Sequence, residues 1–206
     1  AMQPLVPLYI RYFRKVLSNN PPTHEISKII SIINSLLHNQ TLNLDPYIQN
    51  FTSIILTIYL SQNNSSLEKL HLIENIVSRY NDKDYRYKIA ENLANYVFSS
   101  SPSLTSKFGA LTGIEELGLD VFKLYLLPNL TQILDDLKAQ MNNTNENFEI
   151  RLQVSKLKNL LFQMCVRSFN AEQQPIDKSM EDLYSSVAQH FGYDSFYVFA
   201  CFPKQR

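Results

Sequence analysis

The side chains able to do chemistry are few and scattered. His24, His38, His71 and His190 form no HExxH pattern and no Cys/His ligand set, so they read as capping or surface histidines. The closest carboxylates are Glu115, Glu116 and Asp120, and separately Asp135 and Asp136. An acid–base pair needs two facing carboxylates whose environments push their pKa values apart. Adjacent residues on a helix point apart, so these acids read as solvated faces and as charge favourable at helix N-termini. Cys165 and Cys201 are distant and lie on apolar segments, which fits buried, reduced thiols. No Ser/His/Asp or Cys/His set can be drawn from residue order. The expectation is a non-enzymatic chain with no metal and no cofactor.

Two basic stretches are better candidates for binding. In Tyr80-Asn81-Asp82-Lys83-Asp84-Tyr85-Arg86-Tyr87-Lys88 aromatic and basic side chains interleave, a pattern that can stack on bases and neutralise phosphates. Asp82 and Asp84 dilute that charge and Tyr85 shares an apolar face with Ile89, which favours a helix-joining corner or a protein contact. Arg11, Arg14 and Lys15 share one face of the first helical segment and suit solvent or an acidic partner. Lys83, Arg86 and Lys88 with Arg11, Arg14 and Lys15 are thus the candidate protein-binding residues. Basic and acidic residues balance at 19 each, which argues against a general nucleic-acid or anionic-membrane binder. No apolar run reaches the ~18 residues of a membrane span, and the start lacks a signal-peptide pattern.

Helices must position these residues, because apolar side chains recur at helical spacing almost throughout. The expected segments are 5–17, 24–38, one from Pro46, 65–80, 84–99, 103–117, 120–127, 128–142, 148–169 and 179–191. Thr23 is the expected N-cap of the second, Pro46 the first-turn proline of the third, and Ser65 with Glu68 a capping box for the fourth. The first should bury one broad face running through Leu5, Leu8, Tyr9, Tyr12, Phe13, Val16 and Leu17. Three of four glycines, Gly109, Gly113 and Gly118, fall within ten residues. Gly109 and Gly113 would form a smooth strip for a neighbouring helix backbone, and Gly118 a left-handed cap with Asp120 opening the next helix. The segments pair into five hairpins starting near Leu5, Pro46, Asp84, Asp120 and Phe148, near the ~40–47-residue period of HEAT and armadillo units. No segment is apolar all round, as the central helix of a large bundle would be. An all-α solenoid of about five antiparallel helix pairs is expected.

Two stretches carry a more specific signal. Leu36-Leu37-His38-Asn39-Gln40-Thr41-Leu42-Asn43-Leu44-Asp45-Pro46-Tyr47-Ile48 and Phe108-Gly109-Ala110-Leu111-Thr112-Gly113-Ile114-Glu115-Glu116-Leu117-Gly118, continuing to Leu126-Leu127-Pro128, resemble segments of one family. That family is the C-terminal HEAT-repeat domain of the sixth TBP-associated factor, a subunit of general transcription factor TFIID. The matching positions are Leu42, Pro46, Tyr47, Phe108, Gly109, Gly113, Leu117, Gly118 and Pro128. Gln40 stands where the family usually has proline, and Phe108 where it often has tyrosine. The resemblance covers about Leu5 to Cys201. Residues 1–4 are read as a cloning remnant or N-terminal extension and 5–206 as one HEAT-repeat domain, with the family's histone-fold half absent from this chain.

The resemblance implies a nuclear scaffold within TFIID, supporting preinitiation-complex assembly for RNA polymerase II. Its implied partners are other TFIID subunits and SAGA-type coactivator subunits, with direct DNA binding weak or absent and no membrane. The alternatives are a HEAT adaptor of another complex, in transport or signalling, and a DNA-contacting solenoid.

Overall fold

The computed structural model describes residues 3–61, 71–143, 147–171 and 178–191, and every regular element among them is helical. The helices are α1 (Val6–Leu17), α2 (Thr23–His38), α3 (Ile48–Leu60), α4 (Leu72–Tyr80), α5 (Lys83–Phe98), α6 (Leu104–Leu117), α7 (Leu119–Val121), α8 (Leu130–Asn143), α9 (Phe148–Asn170) and α10 (Lys178–Phe191). Side chains that satisfy the first free N–H groups set several starts. Asp82 accepts from the backbone N–H groups of Asp84 and Tyr85 ahead of α5. Ser103 accepts from Ser106 ahead of α6, and Asn147 from Glu149 and Ile150 ahead of α9.

Other boundaries differ from expectation for local reasons. Pro22, not Thr23, precedes α2 in extended conformation, and it has no side-chain oxygen to cap with. Pro46 sits in a 3-10 turn, Asp45–Tyr47, and α3 follows at Ile48. α4 begins at Leu72, and Ser65 and Glu68 lie outside the described residues. Gly118 has φ 106° and ψ 170°, an extended region open to glycine rather than a left-handed helical cap. The expected seventh helix, 120–127, is a composite of the single turn of α7 and a π turn at Phe122–Leu126, and Pro128, expected in the first turn of the eighth, sits in a 3-10 turn at Leu127–Asn129 ahead of α8. Ordered structure starts earlier than Leu5. The Gln3 side-chain amide donates to the Asn43 carbonyl and accepts from the Asn43 N–H, tying a 3-10 turn at Gln3–Leu5 to the α2–α3 connection.

The packing has two ranks at its start, α1 against α3 and α2 against α4. Both ranks lead to α6, which packs on α3, α4, α5 and α9, while α8 packs on α9 and α10. This all-α stack has one continuous core running from Val6 to Val187. No segment is apolar all round in sequence, yet α6 is buried on most sides. Ser106, Lys107, Gly109, Ala110, Leu111, Thr112, Gly113, Ile114 and Leu117 are all buried. Small and hydroxyl side chains fill most of these positions, so hydropathy alone did not mark the helix as internal. The broad apolar face of α1 also divides. Val6, Ile10 and Phe13 are buried, Tyr9, Val16 and Leu17 are partly so, and Leu5, Leu8 and Tyr12 face solvent.

Candidate interaction surfaces and the corners that hold them

The glycine helix α6 crosses α3 at Gly109. A Cβ there would overlap the carbonyl oxygen and carbon of Tyr59, which are backbone atoms and cannot move aside. One turn earlier, the Ser106 hydroxyl donates to the Leu60 carbonyl at 2.8 Å, satisfying an acceptor in the last turn of α3. Gly113 differs. A Cβ there would lie 2.7 Å from Ile73 Cδ1 and 2.9 Å from Leu93 Cδ1, the flexible ends of side chains on α4 and α5. The expected strip is therefore two contacts of unequal stringency, with the backbone crossing at Gly109 alone.

Glu116 is no solvated acid. Its carboxylate accepts from the Tyr59 hydroxyl at 2.6 Å, the His71 N–H at 2.9 Å and the Ile73 N–H at 3.3 Å. One side chain of α6 thus satisfies the N-terminus of α4 and ties it to α3. His71 reaches this position with φ 50°, and its ring bonds Glu74 at 2.8 Å. Desolvation lifts the Glu116 carboxyl above the usual range despite its three donors. Burial, and then the charge of Glu116, pushes the Tyr59 phenol well up. Three of the other four acids pair with cations or a histidine: Glu115 with Arg167, Asp120 with Arg86, and Asp135 with His190 at 3.0 Å.

Two arginines flank the α4–α5 corner, and each holds one of the two motif stretches. Arg79 donates to the carbonyls of Leu36, Leu37, Asn39 and Leu42, closing the C-terminus of α2 and the loop behind it. A guanidinium is suited to this, since it offers five donors in a planar fork and a charge favourable at a helix C-terminus. With the loop so held, Leu42 and Leu44 are buried, Tyr47 is partly buried and Pro46 stays exposed. Arg86 does the same for α6. It donates to the Leu117 carbonyl and, with both terminal nitrogens, to Asp120 at 2.6 and 2.7 Å. Leu117 is buried, Phe108 is partly buried, and Pro128 is exposed on its turn.

The Arg86 bond lowers the Asp120 carboxyl from its ordinary value of 3.8. The stability it contributes is fully present above that ordinary value and is lost as pH falls through the lowered folded-state value. Asp120→Asn should cost about 1 kcal/mol or less near neutral pH, because the carboxylate is more than half exposed. Thermal melts should show the gap between variant and wild type closing in strong acid. A gap that widened on acidification would contradict the pairing.

The candidate binding residues divide accordingly. Arg11, Arg14, Lys15, Lys83 and Lys88 are exposed, with Arg14 reaching Asn50 of α3 at 2.6 Å. Arg86 is partly buried, and its guanidinium bonds the end of α6 and Asp120, with the Tyr87 ring 5.9 Å away. The tyrosines of the corner also turn inward. Tyr80 and Tyr85 meet edge to face at 6.1 Å, and the Tyr85 hydroxyl shares a 2.5 Å hydrogen bond with Thr52. Those two rings serve the corner and do not form an outward stacking platform. Cys165 is a free, buried thiol pushed up to about 12 by desolvation, and Cys201 lies outside the described residues. Among the described residues no group of three His, Cys, Asp or Glu side chains could hold a metal ion. No helix of the described residues is long and apolar enough to cross a membrane.

Arg79, Glu116, Tyr59 and Ser106 do the anchoring; of these the sequence drew attention to Glu116 alone, and as a solvated acid. Glu116 carried a signal, as an acid placed between Ile114 and Leu117 within the glycine block. Arg79 carried none, because its four acceptors are backbone atoms 37–43 residues away.

The profile of the TAF6 C-terminal HEAT repeat domain matches residues 1–131, which include both corner-held stretches and the whole of α6. The chain belongs to the TAF6 C-terminal HEAT repeat domain family. The match agrees with the all-α stack. A curated relative, "Transcription initiation factor TFIID subunit 6" of Arabidopsis thaliana, is 23% identical over 165 residues. That alignment covers 74% of this TAF6-type domain but only 30% of the relative's length. No solved structure matches the chain.

Proposed function

We propose that this chain is a non-enzymatic scaffold domain of a TFIID subunit, acting in the nucleus to support assembly of the RNA polymerase II preinitiation complex. The observation that carries the reading is the family match across the glycine helix and both motif stretches. Physical features support it. The strongest polar side chains of the central region, Arg79, Arg86 and Glu116, bond inside the stack and hold helix ends. The outer helix faces remain for contact, as in other stacked-helix proteins that bind along extended surfaces. Other TFIID subunits are the proposed partners, with SAGA-type coactivator subunits as a second set.

Direct DNA binding should be weak, because balanced charge offers little counterion release. Reversing Lys83 and Lys88 to glutamate should leave the fold intact, since exposed charges typically contribute under about 1 kcal/mol each. If that corner is an interface, the reversal weakens co-purification of at least one subunit while duplex affinity stays low throughout. Submicromolar duplex binding at physiological salt, lost on reversal with subunit association intact, would overturn the protein-bridge reading.

A further inference from the structure

The first helix and the 3-10 turn leading into it carry an apolar stripe that the stack does not cover. Leu5, Leu8 and Tyr12 are 42%, 56% and 53% exposed, whereas Val6, Ile10 and Phe13 on the opposite face are buried. The spacing i, i+3, i+7 lines the three up along about 10 Å of helix axis. An exposed large apolar group is unremarkable singly, but an aligned row is a ridge that suits the groove of another helix.

The charge beside the stripe is of one sign. Arg11 and Lys15 are exposed next to Leu8 and Tyr12, and neither side chain has a hydrogen-bond or ion-pair partner among the described residues. Arg14 leans to Asn50 on the α3 side. The helix itself contains no acidic residue, although the whole chain is neutral. A second copy placed here across a two-fold axis would set cations against cations. Three side chains also fall well short of the ~800 Å² per partner of a stable dimer.

We propose that the outer face of α1 docks an amphipathic helix of a partner protein, with an apolar stripe flanked by aspartate and glutamate. The apolar row of that helix lies along Leu5, Leu8 and Tyr12, and its acids meet Arg11 and Lys15. This deepens the protein-bridge reading above and rests on it for the class of ligand. The contact is small, so it acts as a weak, salt-sensitive site or as one part of a wider interface.

The test uses a fluorescent helical probe of about 15 residues, leucines at i, i+3 and i+7 and glutamates on the flanks, titrated into the 206-residue chain. Saturable binding is expected, weakened by added salt. Leu8→Ser with Tyr12→Ser should weaken it about tenfold or more, and so should Arg11→Glu with Lys15→Glu, both with unchanged melting temperatures. A matched probe with lysine flanks should not bind. Equal binding of the lysine probe, or no saturable binding of the acidic one, overturns the proposal. So does a dimer in sedimentation equilibrium that Leu8→Ser dissolves, or binding to phosphatidylserine vesicles that the same variants abolish while the acidic probe fails. The assay contains no other subunit, so its failure leaves the choice of assembly untouched, and the wrong assembly would leave its result standing.

Discussion

Gly109→Ala should be among the most damaging single-atom additions in this protein, costing roughly 3 kcal/mol or more. The new methyl would occupy the space of the Tyr59 carbonyl, so α3 and α6 must separate along their crossing. Separation also strains the Ser106 bond to Leu60 and the Tyr59 bond to Glu116, both of which span the same two helices. For a chain of this length, about 1 kcal/mol shifts the melting temperature by roughly 2–4 °C, so a fall on the order of 10 °C is expected. Gly113→Ala is the internal control. Its Cβ meets only the ends of Ile73 and Leu93, and alanine gains roughly 1 kcal/mol of helix propensity, so its melting temperature should stay within a few degrees. Similar losses at the two positions would mean that the crossing is not at Gly109.

Arg79→Ala should follow closely, at about 3 kcal/mol, because it leaves carbonyls of Leu36, Leu37, Asn39 and Leu42 without their charged donor. The loss should also be local. Amide hydrogen exchange should accelerate across residues 39–47, where the loop loses its anchor, before α8 and α9 respond. Arg79→Lys should recover only part of the stability, since one ammonium cannot reach both sides of the loop as a planar fork does. Unchanged exchange in residues 39–47 would show that the loop is held by Leu42 and Leu44 packing alone.

Periodicity was enough to read most of the helices, because apolar residues recur at the spacing that one buried face requires, but not the short turns of Leu119–Asn129. Capping was less legible: the cap expected at Thr23 is not made, although α6 begins at Leu104, next to the expected start at 103. What stayed hidden depends on residues distant in the chain. The centrality of α6 rests on glycine, serine and threonine fitting against α3, α4 and α5, and small residues look the same in a loop as in a tight crossing. The Glu116 node joins Tyr59, His71 and Ile73 from two other helices, so reading it as a solvated acid was natural and mistaken. Arg86 looked like a surface cation because its neighbours Lys83 and Lys88 are surface cations. Its acceptors lie more than thirty residues ahead.

The interface candidates were legible only as charges. Arg11 and Lys15 stood out by sequence, but the uncovered stripe beside them did not, because Leu5, Leu8 and Tyr12 look identical to core positions until α3 is seen on the other side. A helix with apolar residues on two faces reads as one broad stripe. Which half is buried is decided by the rest of the stack.

Affinity purification of the tagged full-length protein from its own cells, with co-purifying proteins quantified by mass spectrometry, tests the central claim most directly. The account predicts TFIID subunits in near-constant ratio to the bait, retained at moderate salt and reduced by the Gly109→Ala variant that disturbs the stack. Recovery of a transport or signalling complex instead, with no TFIID subunit enriched, would contradict it.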